Sequence, residues 1–298
     1  MTIKKNNLLL GAIYLIIAFF LFSSMSAMLK LAASELNTPM IVFLRNFFAL
    51  IVLLPWLLYT KKCSLKTDRF GMHLIRSATG ITAMYCFFWT IGELILADAI
   101  LLSYSAPIFL PVFALLFLKE KVNLISLFAV GLGLFGIIIV LEPTKGIFDP
   151  SALVGVLAAI FASLAMISIR KMSDTEPAER VVFYFTFLCT LISATPAFIY
   201  WQPLTFTNLL AMMAAGFLAA FGQLFLTKGY SIAPPGEVAP FQYSIVLFGT
   251  GWGWLMWDEH IDLTKSCGFL VVCFAGIIAS KANAKKKRLS QEGEIEEI

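Results

Sequence analysis

Charge is scarce in this 298-residue chain. Asp, Glu, Lys and Arg together make up only 13% of it, against roughly 25% in soluble domains, which is too little to cover a water-facing surface. Histidine is rarer still. His73 and His260 are the only two, they are far apart in sequence, and no further ligand type clusters with either, so a metal site has no support. The five cysteines, Cys63, Cys86, Cys189, Cys267 and Cys273, are odd in number and form no CxxC pair. They read as small packing residues, not as a disulfide frame. P-loop, nucleophile-elbow and zincin patterns are missing, and no acid–base pair or nucleophile sits at depth. No enzyme and no cofactor is therefore expected. GLGLFG at Gly131–Gly136 matches GxGxxG, but it lies inside an apolar run with no strand before it, where small residues let helices pack closely.

What the chain has is apolar length. Some 60% of its residues are hydrophobic, and runs of about 20 apolar residues, each enough to cross roughly 30 Å of hydrocarbon, recur from end to end. Ten spans are predicted, near 8–31, 39–59, 72–92, 97–118, 123–141, 151–171, 180–200, 207–229, 236–257 and 264–281. Pro39, KKCSLKTDR, EPTKGIFDPS and APPG punctuate them. The run after Lys4 and Lys5 is too long for a secretory signal and is read as a retained first helix. With the N-terminus inside, about seventeen Lys and Arg residues face the cytoplasm and about three (Lys30, Lys145 and Lys265) face out. Both termini are then cytoplasmic, in a multi-pass protein of the inner (plasma) membrane, and residues 282–298 form a disordered tail.

Two polar knots betray a duplication. Lys119-Glu120-Lys121-Val122-Asn123-Leu124 and Asp258-Glu259-His260-Ile261-Asp262-Leu263 align on their glutamates at an offset of 139 residues. The same offset pairs Asp98 with Glu237, Tyr104 with Tyr243 and Ser105 with Ser244. It joins two five-span halves, 1–141 and 151–281. An odd span count turns the second half upside down, so one knot lies inside among lysines and the other outside among acids. The expected fold is all-α, with ten transmembrane helices in two inverted five-helix repeats, an organisation of secondary transporters with a midplane site.

With LADAILLSYSAPIF at Leu96–Phe109, VAPFQYS at Val238–Ser244 and the glutamate after the fourth and ninth spans, the chain resembles the EamA family of the drug/metabolite transporter superfamily. The resemblance implies carriers of small organic solutes such as amino acids, metabolites and vitamins. It also implies a central cavity lined by the third, fourth, eighth and ninth spans.

Arg45, inside the second span, is the clearest deep charge and reads as a cavity-facing cation that meets a polar or anionic substrate group. The alternative is snorkelling or a structural bond to a carbonyl. Arg76 has a weaker case, about one turn from the cytoplasmic end of its span. Tyr85 and Trp89 share a helix face, and Ser103, Tyr104, Gln223, Gln242 and Tyr243 complete the candidate substrate-binding set of aromatic walls and placed polar groups. Glu120 and Glu259 are expected to gate or brace helix ends. Partners are a small-molecule substrate and the lipid bilayer, with no nucleic acid, and a homodimer stays open. The favoured substrate is a riboflavin-like vitamin or an aromatic amino acid; an S-adenosylmethionine or nucleoside-like metabolite is the alternative. From another class, a channel or a lipid-handling protein stays open.

Overall fold

A computed structural model describes residues 8–60, 65–118, 124–141, 150–172, 175–232, 239–259, 263, 266–275 and 277–278. Every regular element among them is helical. In chain order they are α1 (Leu8–Ala33), α2 (Thr38–Thr60), α3 (Phe70–Glu93), α4 (Leu96–Ser103), α5 (Ala106–Leu118), α6 (Leu124–Leu141), α7 (Pro150–Met172), α8 (Ala178–Ile199) and α9 (Phe206–Ile232). A 3-10 turn (Ala239–Tyr243) then leads into α10 (Ser244–Trp257), and α11 covers Ser266–Ala275. Five of these helices, α1, α2, α7, α8 and α9, are long and apolar enough to cross a membrane. The 26 residues of α1 extend about 39 Å at 1.5 Å per residue.

The helices are apolar on all sides, as expected where the outside is lipid and not water. Leu9, Phe206, Leu247 and Leu270 are each more than 70% exposed. The interior is distinguished by size. Ala18, Ala27, Ala158, Ala159, Ala215 and Ala219 are buried, and small residues at helix contacts bring backbones close enough for dispersion to hold them. Several buried hydroxyls are satisfied locally. Ser26, Ser163 and Ser193 donate to the carbonyl four residues back, which satisfies them within their own helix.

The most extensive packing joins early helices to late ones. α1 lies on α9 and α10, α3 on α7 and α8, α2 on α8 and α9, and α4 on α10. One end of the bundle carries the turn after α1, the α3–α4 junction, the α8–α9 connection and the end of α10. There Lys30 reaches both the Leu94 carbonyl, at 2.9 Å, and the Glu259 carboxylate, whose other oxygen accepts from the Leu96 N–H at 2.9 Å. Glu35 accepts from Asn208 and Thr205, and Asn37 donates to the Tyr200 carbonyl.

At the opposite end Glu176 accepts from Thr67 at 2.7 Å and from Arg180 at 2.9 Å, and it faces His73 at 3.3 Å. Burial pushes the Glu176 carboxyl up, but those hydrogen bonds and the Arg180 charge outweigh it and hold the group below the ordinary carboxylate range.

The predicted spans 97–118 and 236–257 are not continuous helices. The first is divided at Tyr104–Ser105 into α4 and α5, and the second begins as the 3-10 turn before α10. Residue 107, just after the first division, is proline, which has no N–H to donate to the carbonyl four residues back. In the second, Pro240 stands within the 3-10 turn.

Candidate functional site

The two interruptions meet. Ile108 donates its N–H to Ser105 at 2.9 Å, three residues back instead of four, so the Tyr104 carbonyl lacks a partner within its own segment. The side-chain amide of Gln242, in the 3-10 turn, donates to it at 3.3 Å. A residue of the predicted site thus ties the division of one span to that of another 138 residues away.

Around this crossing the structure gathers Arg45, Tyr85 and Tyr104. Arg45 is 5% exposed, with one side-chain hydrogen bond, from Nη1 to Asn46 Oδ1 at 2.8 Å, while Nε has no partner. Asn46 is held in turn by the Val42 carbonyl and by Met84 Sδ of α3. Tyr104 stands edge-on to Phe87 at 5.7 Å, within electrostatic reach of Arg45. The hydroxyls of Tyr85 and Ser103 are buried without a hydrogen-bond partner.

Two residues join the cluster that sequence reasoning undervalued or missed. Arg76 does not turn toward the nearby helix end. Its guanidinium lies 3.9 Å over the Phe185 ring of α8, in space that a Cβ on Gly80 would occupy, one turn deeper in α3. Cys189, one turn from Phe185 on α8, is buried; its thiol approaches the Ser77 carbonyl at 3.8 Å and interacts with Arg45, Arg76 and Tyr85. The only earlier hint of Arg76's direction was Gly80, four residues on.

The remaining predicted residues have other surroundings. Tyr243 is buried with its hydroxyl unpartnered. Trp89 is 37% exposed, and Gln223 is half-buried on α9. Glu259 belongs to the end knot with Lys30. Glu120 lies outside the described residues.

Chemically, the cluster holds two cations, Arg45 and Arg76, that form no ion pair among the described residues. Each arginine at the centre of a membrane helix costs about 2.5–3.5 kcal/mol on insertion scales. Glu259 and Glu176, whose carboxylates do form ion pairs, both lie at bundle ends. Asp98 is buried at the start of α4, two residues from the Leu96 N–H that Glu259 holds. The site can therefore take up negative charge and offer aromatic faces and hydroxyls, and it shows no nucleophile or base in hydrogen-bonding contact. No group of three or more His, Cys, Asp and Glu residues suits a metal ion among the described residues.

Comparison with known proteins finds relatives over nearly the whole length. Residues 9–142 and 150–280 each match the model of the EamA-like transporter family. A pseudopaline exporter of Pseudomonas aeruginosa is 32% identical over 91% of this chain and 96% of its own. An S-adenosylmethionine uptake transporter of Rickettsia bellii is 29% identical over 92% and 96%, and a riboflavin transporter of Vibrio cholerae 27% over 95% and 97%. A crystal structure at 14% identity superposes with a TM-score of 0.65 over 90% of this chain and 96% of that one, which speaks for the fold alone.

Proposed function

The chain belongs to the EamA-like transporter family, and from that premise we propose that it is a secondary carrier that moves a small organic metabolite through the inner membrane by alternating access. It is a multi-pass membrane transporter and not an enzyme. The observation that carries the proposal is the Gln242–Tyr104 bond, which joins two interrupted spans near Arg45, whose Nε–H is buried without a partner. Interrupted helices at a repeat interface put free backbone groups and side chains where a solute can reach them.

Ten spans in two inverted repeats, 1–141 and 151–281, suit this packing. At an offset of about 139, α1 corresponds to α7, α2 to α8 and α3 to α9. The contact of α1 with α9 then has its counterpart in α7 with α3, that of α2 with α9 in α8 with α3, and α2–α8 lies on the axis. The polar ends repeat as well. Glu35 with Thr205 at one end corresponds to Glu176 with Thr67 at the other, each a glutamate from the loop after the first span of a half, bound to a threonine before the third span of the other half. With the positive-inside orientation, the Lys30–Glu259 knot and Glu35 close the outer end, and Glu176 closes the cytoplasmic end. A carrier must open these two sets in turn.

For the solute, Tyr85 and Tyr104 offer ring faces and Ser103 and Tyr85 unfilled hydroxyls, with Trp89, Gln223, Gln242 and Tyr243 as outer members of the site. This favours a flat-ringed metabolite with a polar edge, such as an aromatic amino acid or a riboflavin-like vitamin. An S-adenosylmethionine-like cation fits less well beside Arg45. The named activities of the relatives span export and uptake, so direction is left to measurement.

The test is counterflow in proteoliposomes with the purified chain, using labelled riboflavin, aromatic amino acids and S-adenosylmethionine. A carrier gives saturable uptake that is accelerated by unlabelled solute on the other side. Flux that rises linearly with concentration and shows no trans-stimulation would favour a channel and end this reading.

A further inference from the structure

Resting on the carrier reading, we propose that Arg45 and Arg76 together hold the carboxylate of the substrate, so that the transported solute is an organic acid or amino acid and not a neutral or cationic molecule, which keeps the aromatic amino acid of the two favoured solutes and sets aside the uncharged riboflavin-like vitamin. Four observations lead there. Arg76 is committed inward, since its guanidinium is seated on the Phe185 ring at 3.9 Å and fills the volume that Gly80 leaves empty. Both arginines keep an Nε–H buried and without an acceptor. Both interact with the same neighbour, Cys189. Their levels lie about one helical turn apart. Asn46 meets Met84, so residue 46 of α2 is level with residue 84 of α3. The Arg76 guanidinium is at the level of residue 80, and four residues of helix separate the two levels by about 6 Å.

A carboxylate suits a pair of arginines because guanidinium donors lie in a planar fork that matches its two oxygens. It also supplies the charge that the site lacks. A neutral solute would leave two buried cations uncompensated, and a cation would add a third positive charge. Hydroxyl donors stand ready on the same walls. Ser77 Oγ, beside Arg76, and Tyr85 OH, one turn above Ile81 on α3, are buried without partners. Arg45 and Arg76 lie on α2 and α3 of the first half, while Phe185 and Cys189 lie on α8 of the second. An anion drawn between the arginines would therefore bind across the seam between the halves.

The experiment measures ligand-induced thermal stabilisation of the purified full-length protein. It uses matched acid and amide pairs, L-phenylalanine against L-phenylalaninamide and 3-phenylpropionate against 3-phenylpropionamide, with phenyl phosphate as a second anion. The acids are expected to reach half-maximal stabilisation at concentrations at least tenfold below their amides. Arg45→Gln and Arg76→Gln are each expected to erase that preference, and the two lysine variants to keep part of it. Should a glutamine variant not fold, the wild type decides by itself: stabilisation by 3-phenylpropionate must fade as pH drops through that acid's own ionisation. Amides that match the acids, acids that give no shift, phenyl phosphate that surpasses both acids, or an acid preference that survives in Arg76→Gln would each overturn the proposal. Counterflow separates the two readings. Absence of saturable exchange would sink the carrier function while leaving an acid preference in binding intact.

Discussion

Replacing Glu259 by Gln should loosen one end of the bundle by an amount that the structure allows to be worked out. Glu259 Oε1 pairs with Lys30, its Oε2 accepts the Leu96 N–H, and the two side chains are only 10% and 13% exposed. Breaking a fully buried pair costs about 3–5 kcal/mol, because the remaining charge is stranded. Here Lys30 keeps the Leu94 carbonyl and the face of the Trp257 ring at 5.2 Å, and glutamine can still accept from Leu96, so the loss is about 2 kcal/mol. If only the state with this end closed contains the knot, about 2 kcal/mol shifts the open population about thirtyfold.

The reporter is Ser24→Cys in a background with the five native cysteines replaced by alanine. Ser24 is buried and accepts from Trp252 Nε1 at 3.2 Å, about 9 Å below Lys30 along α1. Its labelling rate by a membrane-impermeant maleimide should rise about thirtyfold in Glu259→Gln and comparably in Lys30→Met. The double variant leaves neither charge stranded and should return most of the way to the parent rate. Equal labelling in all four proteins, or two single effects that simply add, would refute the idea that the pair holds this end shut.

Gly80→Ala places a Cβ against Arg76 Nη1 and the Phe185 ring, so it should lower the melting temperature by the equivalent of about 1–3 kcal/mol and reduce transport; unchanged flux would argue against a role for the seated guanidinium. Tyr104→Ala should weaken transport far more than Tyr104→Phe, because the ring packs edge-on to Phe87 while it is the backbone carbonyl that binds Gln242; equal losses in uptake assays would assign the role to the hydroxyl. Glu176 has a lowered folded-state pKa against an ordinary 4.5, so its stabilisation is fully present above about pH 4.5 and is lost as pH falls through the lower value. Melting curves of Glu176→Gln should therefore lose part of the acid-side slope of the parent, and an identical pH profile would count against the knot. Epitope tags on both termini should be reached only from the cytoplasm and a tag at 142–149 only from outside; termini on opposite faces would remove the ten-span reading.

Much of this protein was legible in its amino acids. Low charge and recurrent apolar runs dictate a helical membrane protein, because a backbone in hydrocarbon must satisfy its hydrogen bonds within itself. Arg45 stood out for the cost of a cation at depth, and the tyrosines at the repeated offset marked the positions where both spans prove to be interrupted. Contact geometry was not legible. In helices that are apolar on every side, the sequence carries no period to show which face is inside, so it could not rank Tyr85, Trp89, Tyr104 and Tyr243 by burial. Proline predicts that a span is disturbed but not that the freed Tyr104 carbonyl is met by Gln242, since that partner comes from 138 residues away.

Arg76 is the sharpest case. An arginine one turn from a helix end can extend either way along its helix, and local sequence does not choose. Gly80 makes room on one side and Phe185, from α8, supplies the face that receives the guanidinium. Likewise Lys30 and Glu259 were each readable as charges near a helix end, but their pairing depends on α1 packing against α10. Composition and hydropathy decided which solvent the chain lives in and where it turns. The tertiary structure decided which charges share a neighbour, because the direction of a long side chain is set by the space and the rings that other helices bring to it.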